Sequence, residues 1–186
     1  MRIISGEYKG RKLKTGTGPG YRPATGKVRE SLFSMLESRL PEWQEMSVLD
    51  VFAGSGSLGL EALSRGAKSA LFIEKSLKAC AIIKENISML GIPRKRAQVK
   101  KADALSFLSK PGEKPFDLVF VDPPYGKDMV FPAINMLMES NLLNENGLIS
   151  AEIEVHFAVD THLRPDLKLV KDKFFGQTRM LIWSRK

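Results

Sequence analysis

Apolar residues in this chain change their spacing several times, and each change marks an element. From Thr25 to Leu40 they recur at Val28, Leu32, Phe33, Met35, Leu36 and Leu40, which is one face of a helix. Thr25 is placed to cap its start, and Pro41 follows its end. Beyond it, short apolar runs alternate with helical patterns. Strands are predicted over Ser47 to Phe52, Ser69 to Glu74, Ala97 to Ala102, Phe116 to Val121 and Gly147 to Glu154. Helices are predicted over Leu58 to Ser64, Ser76 to Leu90, a short stretch after Asp103, and Met129 to Glu139. Two last extended segments, Leu167 to Phe175 and Thr178 to Ser184, meet at Gly176-Gln177 and read as a hairpin.

Alternating strands and helices predict an α/β fold, a mostly parallel sheet with helices on both faces. The terminal hairpin adds an antiparallel strand at one edge. Residues 1 to 23 are rich in Gly, Lys and Arg and suit a short strand or hairpin and a mobile loop. The expected organisation is a basic N-terminal arm and helix over 1–40 and a larger domain over 41–186, in one compact unit.

Charge changes this picture at the N-terminus. The formal net charge is +8. Residues 1 to 30 hold eight Lys and Arg against two Glu, so most of the excess is there. Arg94, Lys95, Arg96, Lys100 and Lys101 form a second cluster. Such clustering reads either as a surface for nucleic-acid phosphates or as a solvated tail and loop. Composition excludes other classes. One cysteine rules out an intramolecular disulfide or a multi-cysteine metal site, and no metal is expected. The apolar runs are strand-length, so no membrane span is expected and the cytoplasm is the simple location.

Chemistry concentrates where the strands end. In an open α/β sheet, ligands bind beyond the carboxyl ends of the strands. The first strand runs into Asp50-Val51-Phe52-Ala53-Gly54-Ser55-Gly56, the second ends at Glu74, the third at Asp103, and the fourth at Asp122. Gly54 and Gly56 allow a tight turn and close approach to a ligand. Glu74 follows at the distance where an acid binds both hydroxyls of a ribose. Asp103, followed by Ala104, suits an adenine amine. Each acid alone could equally be a helix cap; together they outline an adenosine site. Asp50 could position the glycine loop or a water. GSGSLG at 54–59 matches GxGxxG, but a dehydrogenase is disfavoured: there is no second domain, nor a His or Lys placed for hydride chemistry.

The fourth strand breaks into Asp122-Pro123-Pro124-Tyr125. Prolines make this stretch stiff and extended and leave its carbonyls without local partners. A carboxylate, a rigid carbonyl and a flat ring are left facing outward for a partner. The plain alternative is a strand-to-loop turn with a surface tyrosine. Phe52, Phe72 and Phe120 lie in strands and read as core, as does Cys80.

These residues resemble a family. VLDVFAGSGSLGLEALSRGA (48–67), Glu74, Asp103 and DPPY (122–125) look like an S-adenosylmethionine-dependent amino-methyltransferase of Rossmann-like fold. RIISGEYKGRKL (2–13), YRPATGKVRESLFSML (21–36) and FFGQTRMLIWSR (174–185) resemble the bacterial 16S rRNA guanine-N2 methyltransferases of the RsmD type. The resemblance spans essentially the whole chain. It implies catalysis by Asp122, Pro123 and Tyr125, and S-adenosylmethionine held by Asp50, Gly54, Gly56, Glu74, Asp103 and Ala104. It implies contact between 16S rRNA or the 30S subunit and Arg2, Arg11, Arg22, Lys27 and Arg29. Arg22 and Arg29 could instead line the site or be helix-surface cations. A monomer is the default. DPPY alone also occurs in DNA amino-methyltransferases, which leaves DNA as an alternative substrate. A noncatalytic assembly factor on the same fold is the other.

Overall fold

The computed structural model describes residues 1–16, 26–40, 42–110, 112–124, 128–157 and 164–186. Its helices are α1 (Gly26–Glu37), α2 (Ser57–Ser64), α3 (Leu77–Leu90), α4 (Ala104–Leu108) and α5 (Val130–Glu139). Its strands are β1 (Ser47–Asp50), β2 (Ser69–Glu74), β3 (Ala97–Lys101), β4 (Phe116–Val121), β5 (Leu143–Glu154), β6 (Leu167–Phe175) and β7 (Thr178–Arg185). They form one sheet in the order β3-β2-β1-β4-β5-β7-β6. The first five are parallel; β7 runs antiparallel between β5 and β6. The chain steps outward from β1 to β3, then returns to β4 on the other side of β1. That reversal puts the switch point between β1 and β4, where a ligand crevice opens in such sheets.

The central strands are apolar without interruption because both faces are covered. Leu118 and Phe120 of β4 pack with Leu32, Phe33 and Leu36 of α1, Leu60 and Leu63 of α2, and Ile83 of α3. Val119 and Val121 face the other way, onto Phe107 and Leu108 of α4 and Ile134 and Leu137 of α5. Each such side chain contributes about 1.5–3 kcal/mol by burial. Phe72 and Phe120 are fully buried, as expected, and Phe52 is partly so.

Several boundaries differ from the sequence pattern: α1 ends at Glu37, short of Leu40, and two strand ends differ for a local reason. β1 stops at Asp50 because the chain leaves the sheet to form the glycine loop, although Val51 N–H still reaches Phe120 O at 3.0 Å. β5 begins at Leu143, not Gly147. Polar Asn144-Glu145-Asn146 hides its start, and the pairing with β4 shifts register there. Asp117 secures the irregular stretch: it accepts from Asn144 Nδ2 at 2.6 Å and from Ser47 N–H at 2.8 Å. The terminal hairpin widens the sheet by two strands, with β6 outermost.

The first residues are packed. Ile3 N–H donates to Arg11 O (3.0 Å) and Gly10 N–H to Ile3 O (2.9 Å), a small hairpin whose Ile3 and Leu13 are buried. This hairpin is clamped onto α2. Glu61, fully buried, accepts from Ile4 N–H (2.8 Å), Ser5 N–H (3.0 Å) and Arg65 Nε (3.0 Å). Gly6 has φ +82°, and a Cβ there would lie 1.8 Å from Ser64 O, so only glycine permits this approach. The expected loop after the hairpin, the Thr25 cap and Pro41 lie outside the described residues.

Candidate active site

At the switch point the glycine loop connects β1 to α2. Gly54 and Gly56 have φ of 54° and 77°, the left-handed region that side chains disfavour. Gly59 has a different task. A Cβ there would lie 2.4 Å from the Phe72 ring, so its bareness lets α2 settle onto β2.

Three carboxylates brace this half of the edge. Asp50, 2% exposed, accepts from Gly59 N–H at 3.1 Å. Burial pushes its pKa up to about 7; the Gly59 N–H opposes the rise and Glu74 adds to it. Glu74 accepts from Gly54 N–H (2.9 Å) and Ser76 N–H (2.7 Å), tying the glycine loop to the end of β2. Asp103 is exposed and caps α4 by accepting from Ser106 N–H at 3.0 Å. The cap reading of this acid is therefore correct, and it does not exhaust the residue. A carboxylate has about four acceptor positions, so Glu74 and Asp103, which are not buried, can still take a hydroxyl or amine.

Beside β1, Asp122 leaves the end of β4. It lines a pocket with Val28, Arg29 and Leu32 of α1, Leu58 of α2, Ser150 and Glu152 of β5, and Met180 of β7. Burial, then Glu152 and Asp50, hold the Asp122 carboxyl well above the usual carboxylate range. Pro123 is buried and Pro124 exposed. Tyr125, the third expected catalytic residue, lies outside the described residues.

A glycine loop with acids at successive strand ends, beside an acidic pocket at the switch point, agrees with the comparisons to known proteins. The family model "Conserved hypothetical protein 95" matches residues 1–184. The chain belongs to that family. The Ribosomal RNA small subunit methyltransferase D of Escherichia coli is 38% identical over 185 residues, 100% of this chain and 90% of that one. The protein of the same name in Haemophilus influenzae is 41% identical over 155 residues, 83% of this chain and 79% of that one. The solved structure of yhhF from Escherichia coli superposes with a TM-score of 0.86 at 37% identity, covering 100% of this chain and 98% of that one. The resemblance to the RsmD type is thus family membership, the chain is a methyltransferase, and its fold is that of the S-adenosylmethionine-dependent enzymes.

The residues present fit that methyl donor. The left-handed Gly54-Ser55-Gly56 turn leaves room against the backbone, and Glu74 at the end of β2 offers oxygens to a ribose diol. Asp103 and the backbone of Ala104, at the start of α4, fit an adenine edge. Among the described residues no group of His, Cys, Asp and Glu could hold a metal ion.

The expected RNA contacts separate into two groups. Arg2, Arg11 and Lys27 are exposed; Arg2 donates to Gly10 O (2.7 Å) and Arg11 to Met89 O (2.6 Å). Arg22 lies outside the described residues. Arg29 corrects the expectation of a phosphate contact. It is 2% exposed, donates to Arg2 O at 2.8 Å, stands 4.0 Å from Glu61, and forms part of the pocket wall. Arg29 stands four and seven residues before Phe33 and Leu36, on the same buried face of α1, a signal that its charge masked.

Two residues were missed from sequence. Asn86 of α3, fully buried, donates to Ser55 O (3.2 Å) and Lys14 O (2.9 Å) and accepts from Lys14 N–H (2.8 Å), joining the glycine loop to the N-terminal hairpin. Glu152 lines the pocket beside Asp122. The signal for Asn86 was a polar residue on an apolar helical stripe, between Ile83 and Ile87. Of the histidines, His156 is exposed and 3.0 Å from Glu154, and His162 lies outside the described residues.

Proposed function

We propose that this methyltransferase modifies the exocyclic N2 amine of a guanine in 16S rRNA of the small ribosomal subunit, acting as a monomer in the cytoplasm. The observation that carries the chemistry is Asp122, set at the switch point in a pocket next to the glycine loop. The RNA substrate is supported by the small-subunit methyltransferases that this chain matches over most of its length. No described helix is long and apolar enough to cross a membrane.

The guanine amine is a weak nucleophile because its lone pair is delocalised into the ring. S-adenosylmethionine supplies an electrophilic methyl that needs little activation, so the protein's task is to orient the amine and accept its charge. Asp122 and the carbonyl of Pro123 accept its two hydrogens, which draws the lone pair out of conjugation. The raised basicity of Asp122 suits it to receive the proton that the amine sheds. The prolines hold both acceptors in place, and Tyr125 offers a flat face to the extruded base. Arg2, Arg11, Arg22 and Lys27 meet phosphate.

The test is transfer of labelled methyl from S-adenosylmethionine to 30S particles, naked 16S rRNA and duplex DNA in parallel, with the product nucleoside identified. N2-methylguanine in RNA or particles is the expected result. Methyl in DNA alone, or no transfer, overturns the reading.

A further inference from the structure

We propose that Glu152 determines the choice of base: together with Asp122 it forms a pair of acceptors that reads the N1–H and N2 amine of guanine side by side. This rests on the guanine-N2 reading above. The placement follows from sheet register. Val121 of β4 stands opposite Ala151 of β5. One step further along these parallel neighbours come Asp122 and Glu152, on strands about 4.8 Å apart. Strand alternation turns both towards α1, and both line the same pocket.

The pocket holds two acids from neighbouring strands. Val28, Leu32, Leu58 and Met180 make much of the pocket wall apolar, which leaves the two acids as its acceptors beside Ser150. Glu152 also faces Asp122 with like charge, and Asp50 adds a third acid from β1, with Arg29 from α1 the cation in the wall. Two acids set side by side in one pocket at the switch point suit a ligand with two donors in a row.

The chemistry of the bases says which ligand. Any exocyclic amine satisfies one acceptor. Adenine and cytosine, however, present a ring nitrogen lone pair next to their amine, and it would face the second carboxylate. Guanine presents two donors in a row, N1–H and N2–H. Asp122 takes the amine that reacts, and Glu152 takes N1–H, which fixes the base in the plane that aims N2. A site built on such polar contacts rejects the analogue that cannot make them, by up to about 10⁴-fold.

The test uses the full chain at pH 8 and 16S rRNA, naked or in particles as the wild-type enzyme requires, with either guanosine or 2,6-diaminopurine riboside ligated in at the mapped target. Diaminopurine keeps the N2 amine but replaces N1–H by a lone pair. Wild type is expected to favour guanine by about 100-fold or more in kcat/KM. Glu152→Gln, whose amide offers both a donor and an acceptor, should narrow that preference to within about 10-fold while binding labelled S-adenosylmethionine as wild type does. Glu152→Asp, which keeps the charge, should turn over more slowly yet still reject diaminopurine. A preference for guanine unchanged in Glu152→Gln, or a wild-type enzyme indifferent to the two bases, overturns the proposal. Absence of N2-methylguanine with wild type and natural rRNA would instead overturn the earlier reading.

Discussion

Six carboxylates at or near the strand ends and on α2 fall into two groups with different partners. Glu61, Glu74, Asp50 and Asp103 each hold backbone N–H groups: Ile4 and Ser5, Gly54 and Ser76, Gly59, and Ser106. Asp122 and Glu152 share a pocket, and burial, then Glu152 and Asp50, raise the pKa of Asp122. Acids of the first group tie loops and helix starts to the sheet, although burial makes Asp50 costly to charge. For the acids that share a pocket we propose chemistry instead. The same signal in the sequence, an acid at or after a strand end, therefore marks both scaffold and reagent, and only the partners separate them.

The sharpest break in this division comes from Glu61. Glu61→Ala removes the acceptor for two N–H groups and strands Arg65 and Arg29 beside an empty position, and it should cost about 3–5 kcal/mol by denaturant unfolding. A loss under about 1 kcal/mol would remove Glu61 from the supporting group. Glu74→Ala should cost about 1–3 kcal/mol through the orphaned Gly54 and Ser76 amides, and also weaken S-adenosylmethionine binding by calorimetry. Intact cofactor affinity would make it scaffold only. Asp103→Ala loses a helix cap, worth about 1 kcal/mol. Asn at that position should restore the stability, and cofactor affinity then reports the second role by itself.

The smallest effect carries the opposite sign. Asp50 is raised to about 7 in the fold, so the native state holds its proton more tightly than the unfolded chain. That contribution is complete below the ordinary carboxylate pKa and is lost as pH rises through about 7. Asp50→Asn should therefore gain in Tm relative to wild type at pH 8, and the gain should vanish near pH 4. A gap that does not change with pH would show that Asp50 is not strained in the fold.

Most of the fold was readable because helix and strand periodicity differ and because sheets buried on both faces leave long apolar runs. β2 and β4 match their predicted limits to the residue. The start of β5 was hidden because an irregular polar stretch breaks the run that marks a strand. For the site, a strand-end acid is visible in sequence, so Asp50, Glu74, Asp103 and Asp122 could be found. Glu152 could not: it sits within β5, and its meeting with Asp122 depends on which strands become neighbours. Arg29 was found, but its phosphate contact was not: charge predicts exposure, whereas the side chain turns inward beside Glu61 of α2 and joins the pocket wall, the alternative the sequence left open.

The central claim is that Asp122 accepts the reacting amine. Single-turnover methyl transfer by Asp122→Asn, with RNA and S-adenosylmethionine affinities measured on the same protein, tests it most directly. The account predicts a rate lower by about 10²–10⁴-fold with both affinities unchanged. Transfer at the wild-type rate would contradict it.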